Sequence, residues 1–512
     1  MQSAFARYIF ETASDPYSMA TRLYTAVQVR TLDRVAIESL GISGYVLMQR
    51  AAAAAWRTLR ARWPQARRIV VVCGAGNNGG DGYLLAGIAR EAGLEASVVA
   101  LAAPAKAGDA VRARAGWLAA GGAILDADAE LPAADVYIDA LFGTGLARPV
   151  DGAVRTLIER LNARGSPILA LDVPSGLNAD TGCVLGVAVR ATATIGFVAH
   201  KRGLFTGAAL DYRGELELNT LGLPDELYKN SPADARLLDA WQTARWLPPR
   251  PRDAHKGNYG QVLAIGGDTG MAGAIRLTGE AALRVGAGLV SVATRAEHVT
   301  ALNAARPELM AHAVKDAAGL TALLQRASVV ALGPGLGQGA WGRALWQAAL
   351  AAGKPTVLDA DGLNLLAQTP RTLPPETVLT PHPGEAARLL GCDTAAIACD
   401  RYAAVRALAT RFGAVAVLKG AGSLIANPDG AVAVCPWGNP GMASGGMGDV
   451  LTGVIAGLLA QGLNAWRAAR LGVALHARAG DAAAAKAGEA GMLAGDLFTH
   501  LRILRNAQVS DD

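Results

Sequence analysis

At 512 residues the chain is long enough for two or more ordinary domains, and 52% hydrophobic with only 5% aromatic residues implies an aliphatic core. The net charge of +5 is interleaved, with no basic block and spaced aromatics of the kind that bind nucleic acid. Five cysteines, at 73, 183, 392, 399 and 435, form no Cys-x-x-Cys pair, which argues against a disulfide framework or a zinc site and for a reducing compartment.

Residues 1–22 carry no motif, and the acids Glu11 and Asp15 leave no apolar core for a secretory signal. Helical runs over 28–38 and 43–61 lead to an apolar β-run, 69–73. There follow Gly74-Ala-Gly76-Asn77-Asn78-Gly79-Gly80-Asp81-Gly82, read as a loop, and a helix to about 92. Gly74, Gly76 and Gly79 satisfy Gly-x-Gly-x-x-Gly, but the next strand, 96–101, ends in Ala-Ala-Pro-Ala without the acid that holds a ribose. A phosphate- or ion-binding loop is therefore preferred to a redox dinucleotide site.

A strand at 135–139 runs into Gly143-Thr144-Gly145-Leu146-Ala147-Arg148-Pro149, and one at 168–172 into Val173-Pro174-Ser175. Parallel sheets collect ligands at the carboxyl ends of their strands, so Asn78, Asp139, Asp172 and Ser175 are expected to converge on one crevice. Their amide, carboxylate and hydroxyl oxygens suit a hard cation. Taken singly, each acid would only cap its turn; three matching strand ends favour the cluster. Lys201, after a further strand, either faces the same crevice or is a solvated loop lysine.

The proline-rich segment 247–253 marks a boundary nearby. The cut is placed at 230, giving an extension 1–22 and domains 23–230 and 231–512. In the second half, strands open onto Gly333-Pro-Gly335-Leu-Gly337, Asp359-Ala-Asp361, Thr380-Pro-His382-Pro-Gly-Glu385 and Lys419-Gly420-Ala421-Gly422-Ser423. Last comes Gly441-Met-Ala-Ser-Gly-Gly-Met-Gly448-Asp449, directly before an apolar helical run. Turned glycine N–H groups at a helix start make an anion hole, and Asp449 there can act as a base. The bland alternative is a tight loop with Asp449 as N-cap. The uncharged run 450–466, which includes Gln461 and Asn464, reads as one buried helix and not as a membrane span. A soluble cytoplasmic protein is expected, with neither membrane nor nucleic acid as partner.

The motifs at 76–82, 139–146 and 172–176 closely resemble the NAD(P)H-hydrate epimerase domain. Those at 255–257, 333–337, 380–385, 419–422 and 441–453 resemble the NAD(P)H-hydrate dehydratase. In this order, from about 23 to 505, the chain resembles the bifunctional NAD(P)H-hydrate repair enzymes of bacteria. The resemblance implies an α/β protein of two domains, a Rossmann-like three-layer α/β/α domain followed by a ribokinase-like one. The substrates implied are NADHX and NADPHX, reduced nicotinamide cofactors hydrated across C5–C6 of the ring. The first half would interconvert the (R) and (S) epimers at C6; the second would phosphorylate the C6 hydroxyl of the (S) form from ADP, and elimination would restore NAD(P)H.

Carried onto this sequence, Asn77, Asn78, Gly79, Gly80 and Asp81 with Gly143 to Pro149 would hold the hydrate, and Asp172 would contact the ring and assist epimerisation. Asn78, Asp139 and Ser175 would ligate K+. Ala274, Gly335 and His382 would line the dehydratase pocket, with Asp449 on the C6 hydroxyl. Lys419, Gly420, Ala421, Gly422, Ser423 and Gly448 would bind the adenine nucleotide. Mg2+ is expected with the nucleotide, without a named ligand, and a homo-oligomer is expected because relatives often form one. Two rival readings are a ribokinase-like kinase of a small molecule, and a first half that only binds a ligand or partner.

Overall fold

The computed structural model describes residues 21–102, 107–239, 243 and 245–507, so the extension expected at 1–22 lies outside the described residues but for its last two. The chain divides into two compact units, Met1–Arg236 and Leu237–Asp512.

The strands of the first unit are β1 (Arg22–Tyr24), β2 (Arg68–Cys73), β3 (Glu95–Ala100), β4 (Ile124–Asp126), β5 (Val136–Ala140), β6 (Ile168–Leu171), β7 (Ala193–Phe197), β8 (His200–Lys201) and β9 (Glu215–Asn219). β10 (Ala235–Leu237) pairs antiparallel with β1, which runs parallel to β8. Seven strands make one parallel sheet in the order β4-β3-β2-β5-β6-β7-β9. The chain steps outward from β2 to β4 and then returns to lay β5 against β2. The loops after β2 and β5 therefore diverge around a switch-point crevice. β2 reads as an unbroken apolar run because both faces are covered: Ile69, Val71 and Cys73 enter one core, Val70 and Val72 the other.

One expectation changes here. The segment expected as a loop, 74–82, is helical from Asn77, within the helix Asn77–Glu91. Its glycines let that helix lie against the strand ends: a Cβ on Gly79 would stand 2.0 Å from the Gly74 carbonyl oxygen, and one on Gly74 1.9 Å from that of Leu141.

The second unit contains β11 (Gln261–Ile265), β12 (Leu289–Thr294), β13 (Met310–Ala313), β14 (Val329–Leu332), β15 (Thr356–Leu358), β16 (Thr377–Leu379), β17 (Val415–Leu418), β18 (Leu424–Ala426) and β19 (Val432–Val434). The order β13-β12-β11-β14-β15-β16-β17 is parallel, and β18 and β19 continue it antiparallel. The strand order again reverses, between β11 and β14. The helix Met447–Ala460 is buried along nearly its whole length and packs on the helix Ala272–Arg284. Gly453 makes that approach possible, since a Cβ there would meet the Thr278 carbonyl oxygen at 2.0 Å.

The run 450–466 is not one helix. It ends at Ala460, turns through Gly462 at φ 90°, and restarts as Ala465–Ala487, with the Asn464 side chain capping Arg467 N. Among the described residues, no helix is long and apolar enough to cross a membrane.

Candidate active sites

In the first unit, the strand-end residues do meet. Asp139, the penultimate residue of β5, is fully buried; Ser175 N and Oγ donate to its two oxygens at 2.7 and 2.6 Å. Ser175 Oγ in turn accepts from Phe142 N at 2.9 Å, which ties the loop after β6 to the loop after β5. Burial pushes the Asp139 carboxyl up to about 6, against the lowering effect of those hydrogen bonds. A Cβ on Gly143 would stand 2.8 Å from Asp172 Oδ2 and 3.7 Å from Asn78 Cβ, so these three residues adjoin. Asn78 is buried on the first turn of the helix Asn77–Glu91, and neither its Oδ1 nor its Nδ2 has a hydrogen-bond partner. A buried amide left in that state costs free energy unless a ligand satisfies it.

The flanking residues divide by exposure. Gly79, Gly80 and Asp81 are buried with Asn78, and Asn77 is exposed. Gly143 to Pro149 form an open loop of partly or fully exposed residues. Burial drives the Asp81 carboxyl well above its usual range, helped by Asp172 and Asp33 and opposed by Lys201. Lys201, ambiguous in sequence, is fully buried and ion-pairs with Asp172 Oδ1. Asp33, on the helix Ala26–Glu38, is raised to about 6 by burial, with Lys201 lowering it and Asp172 adding to the rise. Sequence reasoning missed Asp33, whose only signal is an acid next to the buried Leu32 on an amphipathic helix.

In the second unit, the helix Met447–Ala460 opens on Gly446 at φ 90° with no side-chain cap, and Asp449 lies in its first turn. Burial raises the Asp449 carboxyl to about 7; Asp359 and Glu385 add to the rise and Lys419 opposes it. Lys419 Nζ donates to Asp359 Oδ1 at 2.7 Å and stands 3.7 Å from Glu385 Oε2. Thr452 Oγ1 holds the other Asp359 oxygen at 2.8 Å. Burial disfavours the Lys419 charge, but Asp359 and Glu385 outweigh it and raise its pKa. A Cβ on Gly448 would lie 3.3 Å from Lys419 Nζ. The Lys419 ammonium thus sits beneath the anion hole, while Gly420, Ala421, Gly422 and Ser423 form the loop beyond it, where Ser423 Oγ donates to Gly420 O at 2.9 Å.

His382 N-caps the helix Pro383–Leu390, accepting from Gly384 N at 3.0 Å, and its backbone N donates to Glu385 Oε2 at 2.8 Å. Gly335, at φ 58°, adjoins Ala274: a Cβ on it would stand 3.4 Å from Ala274 Cβ. Asp359, Glu385 and Thr452 lie within motifs read from the sequence but were given no role there. Among the described residues, no group of three or more His, Cys, Asp or Glu side chains is arranged to hold a metal.

A parallel α/β unit with a switch-point crevice, followed by a unit with a glycine anion hole and an adjacent carboxylate, defines a two-centre enzyme of small molecules. Comparison with known families sharpens this. The model described as NAD(P)H-hydrate dehydratase matches residues 262–502, and that of the YjeF-related protein N-terminus matches 44–203. A bifunctional NAD(P)H-hydrate repair enzyme of Coxiella burnetii is 50% identical over 95% of this chain and 100% of its own. One of Escherichia coli is 45% identical over 97% and 96%. A ribokinase-like superfamily protein of Enterococcus faecalis superposes on 53% of this chain and 95% of its own, with TM-score 0.50 and 31% identity. The chain belongs to the bifunctional NAD(P)H-hydrate repair enzymes, an epimerase domain followed by a dehydratase domain of ribokinase-like fold.

Proposed function

We propose that the first unit interconverts (R)- and (S)-NAD(P)HX at C6 and that the second restores NAD(P)H from the (S) form, with ADP as phosphoryl donor. The observation that carries the reading of the second unit is Asp449: a carboxylate raised to about 7, in the first turn of the anion-hole helix. Hydroxide is a poor leaving group and phosphate a good one. Asp449 takes the proton of the C6 hydroxyl as that oxygen attacks the terminal phosphorus of the nucleotide. The N–H groups of the first helical turn, with Lys419, stabilise the charge on the transferring group. The ring nitrogen then expels the phosphate from C6, and loss of a C5 proton restores the double bond. Ala274, Gly335 and His382 are assigned to the hydrate, and Lys419 to Ser423 with Gly448 to the nucleotide. Mg2+ would be held largely by the nucleotide phosphates and water.

In the first unit, C6 bears both a hydroxyl and the ring nitrogen. Taking the hydroxyl proton lets the C6–N1 bond open to an aldehyde, while the nitrogen keeps the bonding pair and gains a proton. Reclosure on the other face inverts C6. Asp172 is assigned the proton transfers at that hydroxyl, and Asn77 to Asp81 with Gly143 to Pro149 the embrace of the substrate. The unsatisfied Asn78 amide beside a buried acid–serine pair supports a K+ ion held by Asn78, Asp139 and Ser175. Such an ion would neutralise charge and fix the crevice walls. A cytoplasmic homo-oligomer completes the reading, and sedimentation of the purified chain tests its assembly.

The experiment that tests the whole is absorbance at 340 nm with mixed-epimer NADHX, K+, Mg2+ and either ADP or ATP. Recovery of NADH from both epimers, faster than spontaneous epimerisation allows and with ADP preferred, is the expected result. Recovery halting at one epimer would refute the role of the first unit. A phosphorylated product accumulating in place of NADH would favour a simple kinase.

A further inference from the structure

The backbone around Asp172 is strained in a way that substrate contact alone does not explain. Asp172 and Val198 both have φ 66°. Val173 N donates to Leu171 O at 2.8 Å and Ala199 N to Phe197 O at 2.8 Å, so each residue centres a classic γ-turn. That turn is rare and strained, and for a β-branched valine it persists only where the surroundings impose it. The two turns close β6 and β7, neighbouring strands of the sheet.

Their joint effect falls on one side chain. The turn at Val198 sends the chain back across the strand end, and Lys201 Nζ returns to donate to Phe197 O at 2.7 Å and to Asp172 Oδ1. Phe197 N also donates to Asp172 Oδ1, at 3.3 Å. From outside, the Tyr228 hydroxyl donates to Val198 O at 2.8 Å and fastens the turn. Two donors thus take Oδ1, while Oδ2 faces Gly143 and the crevice. Asp33 and Asp81, from the two helices packed over the crevice, face the same ammonium.

We propose that Lys201 is a positioning residue for epimerisation: braced by the paired γ-turns, it holds Asp172 by Oδ1 so that Oδ2 alone is presented to the C6 hydroxyl. The proposal rests on the epimerase reading of this crevice. It adds a residue that touches neither the substrate nor the assigned K+ ligands.

The test follows epimer interconversion by chiral chromatography, without nucleotide and corrected for the spontaneous rate, in the full chain. Lys201→Met is expected to lower kcat about a hundredfold, within the range for losing a positioned proton-transfer group. KM should stay near wild type, Lys201→Arg should restore part of kcat, and the dehydratase activity of the same chain should be unchanged. Wild-type kcat in Lys201→Met, beside loss in Asp172→Asn, would overturn the proposal and leave the epimerase reading standing. An inactive wild type would overturn both. Should Lys201→Met fail to fold, Tyr228→Phe decides, because it removes only the bond that fastens Val198: a reduced kcat supports the proposal, and an unchanged one overturns it.

Discussion

A carboxylate that must accept a proton near neutrality has to be partly stripped of water, and Asp449 shows how this is done. Burial and two neighbouring acids lift it to about 7 while Lys419 keeps it from rising further. Below about pH 7 the group is protonated and cannot act as a base, so kcat/KM for the dehydratase reaction should rise as pH increases through that value. A flat profile from pH 5 to 8 would contradict the assignment. Asp449→Asn should slow NADH recovery by about 100- to 10,000-fold. The same substitution should stabilise the second unit. A carboxyl raised in the folded state loses stability as pH rises from its unfolded value of 3.8 to its folded value of about 7, and the full cost is present above that, so the gain in Tm should be larger at pH 8 than at pH 5. Strain in the other unit has the same character: two γ-turn residues, each costing about 1–3 kcal/mol, held for function.

At this scale the sequence was legible where a polar group lies next to its own glycine turn, as Asn78, Ser175 and Asp449 do, and at the strand end that carries Asp172. It was not legible where partners are distant. Thr452 reaches Asp359 across 93 positions and Lys419 reaches it across 60, and no local pattern encodes either pairing. Lys201 stayed ambiguous for a different reason. Only the reversal at Val198 turns it inward, and a positive φ at valine leaves no mark in a sequence.

Elements carry the second kind of constraint. In both units a glycine-bearing helix is pressed onto a neighbouring backbone that a side chain would push away. Gly453→Ala would set a methyl 2.0 Å from the Thr278 carbonyl oxygen and should destabilise the second unit by about 1–3 kcal/mol. The dehydratase midpoint in a urea titration should fall, with epimerase activity held. Gly79→Ala should do the converse, because its methyl would meet Gly74 O. The motif at 76–82 invites reading as a loop because glycine is a poor helix former. Here close packing on strand ends outweighs propensity, so the same residues that looked like flexibility are the first turns of a rigid helix. The central strands β2, β3, β5 and β6 were legible, since a sheet covered on both faces writes continuous apolar runs, whereas short or edge strands such as β4 and β9 were not read.

For the molecule as a whole, the two units have separate cores and separate chemistry. Chains cut between Arg236 and Leu237 should therefore yield two folding fragments, each keeping its own reaction; a fragment that fails to fold would show that the units depend on each other. Exchanging K+ for tetramethylammonium should slow only the epimerisation phase, if Asn78, Asp139 and Ser175 hold the ion as proposed. The bipartite plan was legible from the order of the motifs.

The helix Met447–Ala460 begins on Gly446, an N-cap residue without a side chain to cap its first turn. On the proposed reading, its leading N–H groups would take their partner from the phosphoryl group being transferred. A ligand that binds only the native form shifts the unfolding equilibrium, by about 2.7 kcal/mol when it stands a hundredfold above its dissociation constant. The lifetime of the second unit against unfolding and proteolysis would thereby be coupled to the supply of adenine nucleotide. Where that supply fell, the enzyme would lose its co-substrate and part of its own durability together.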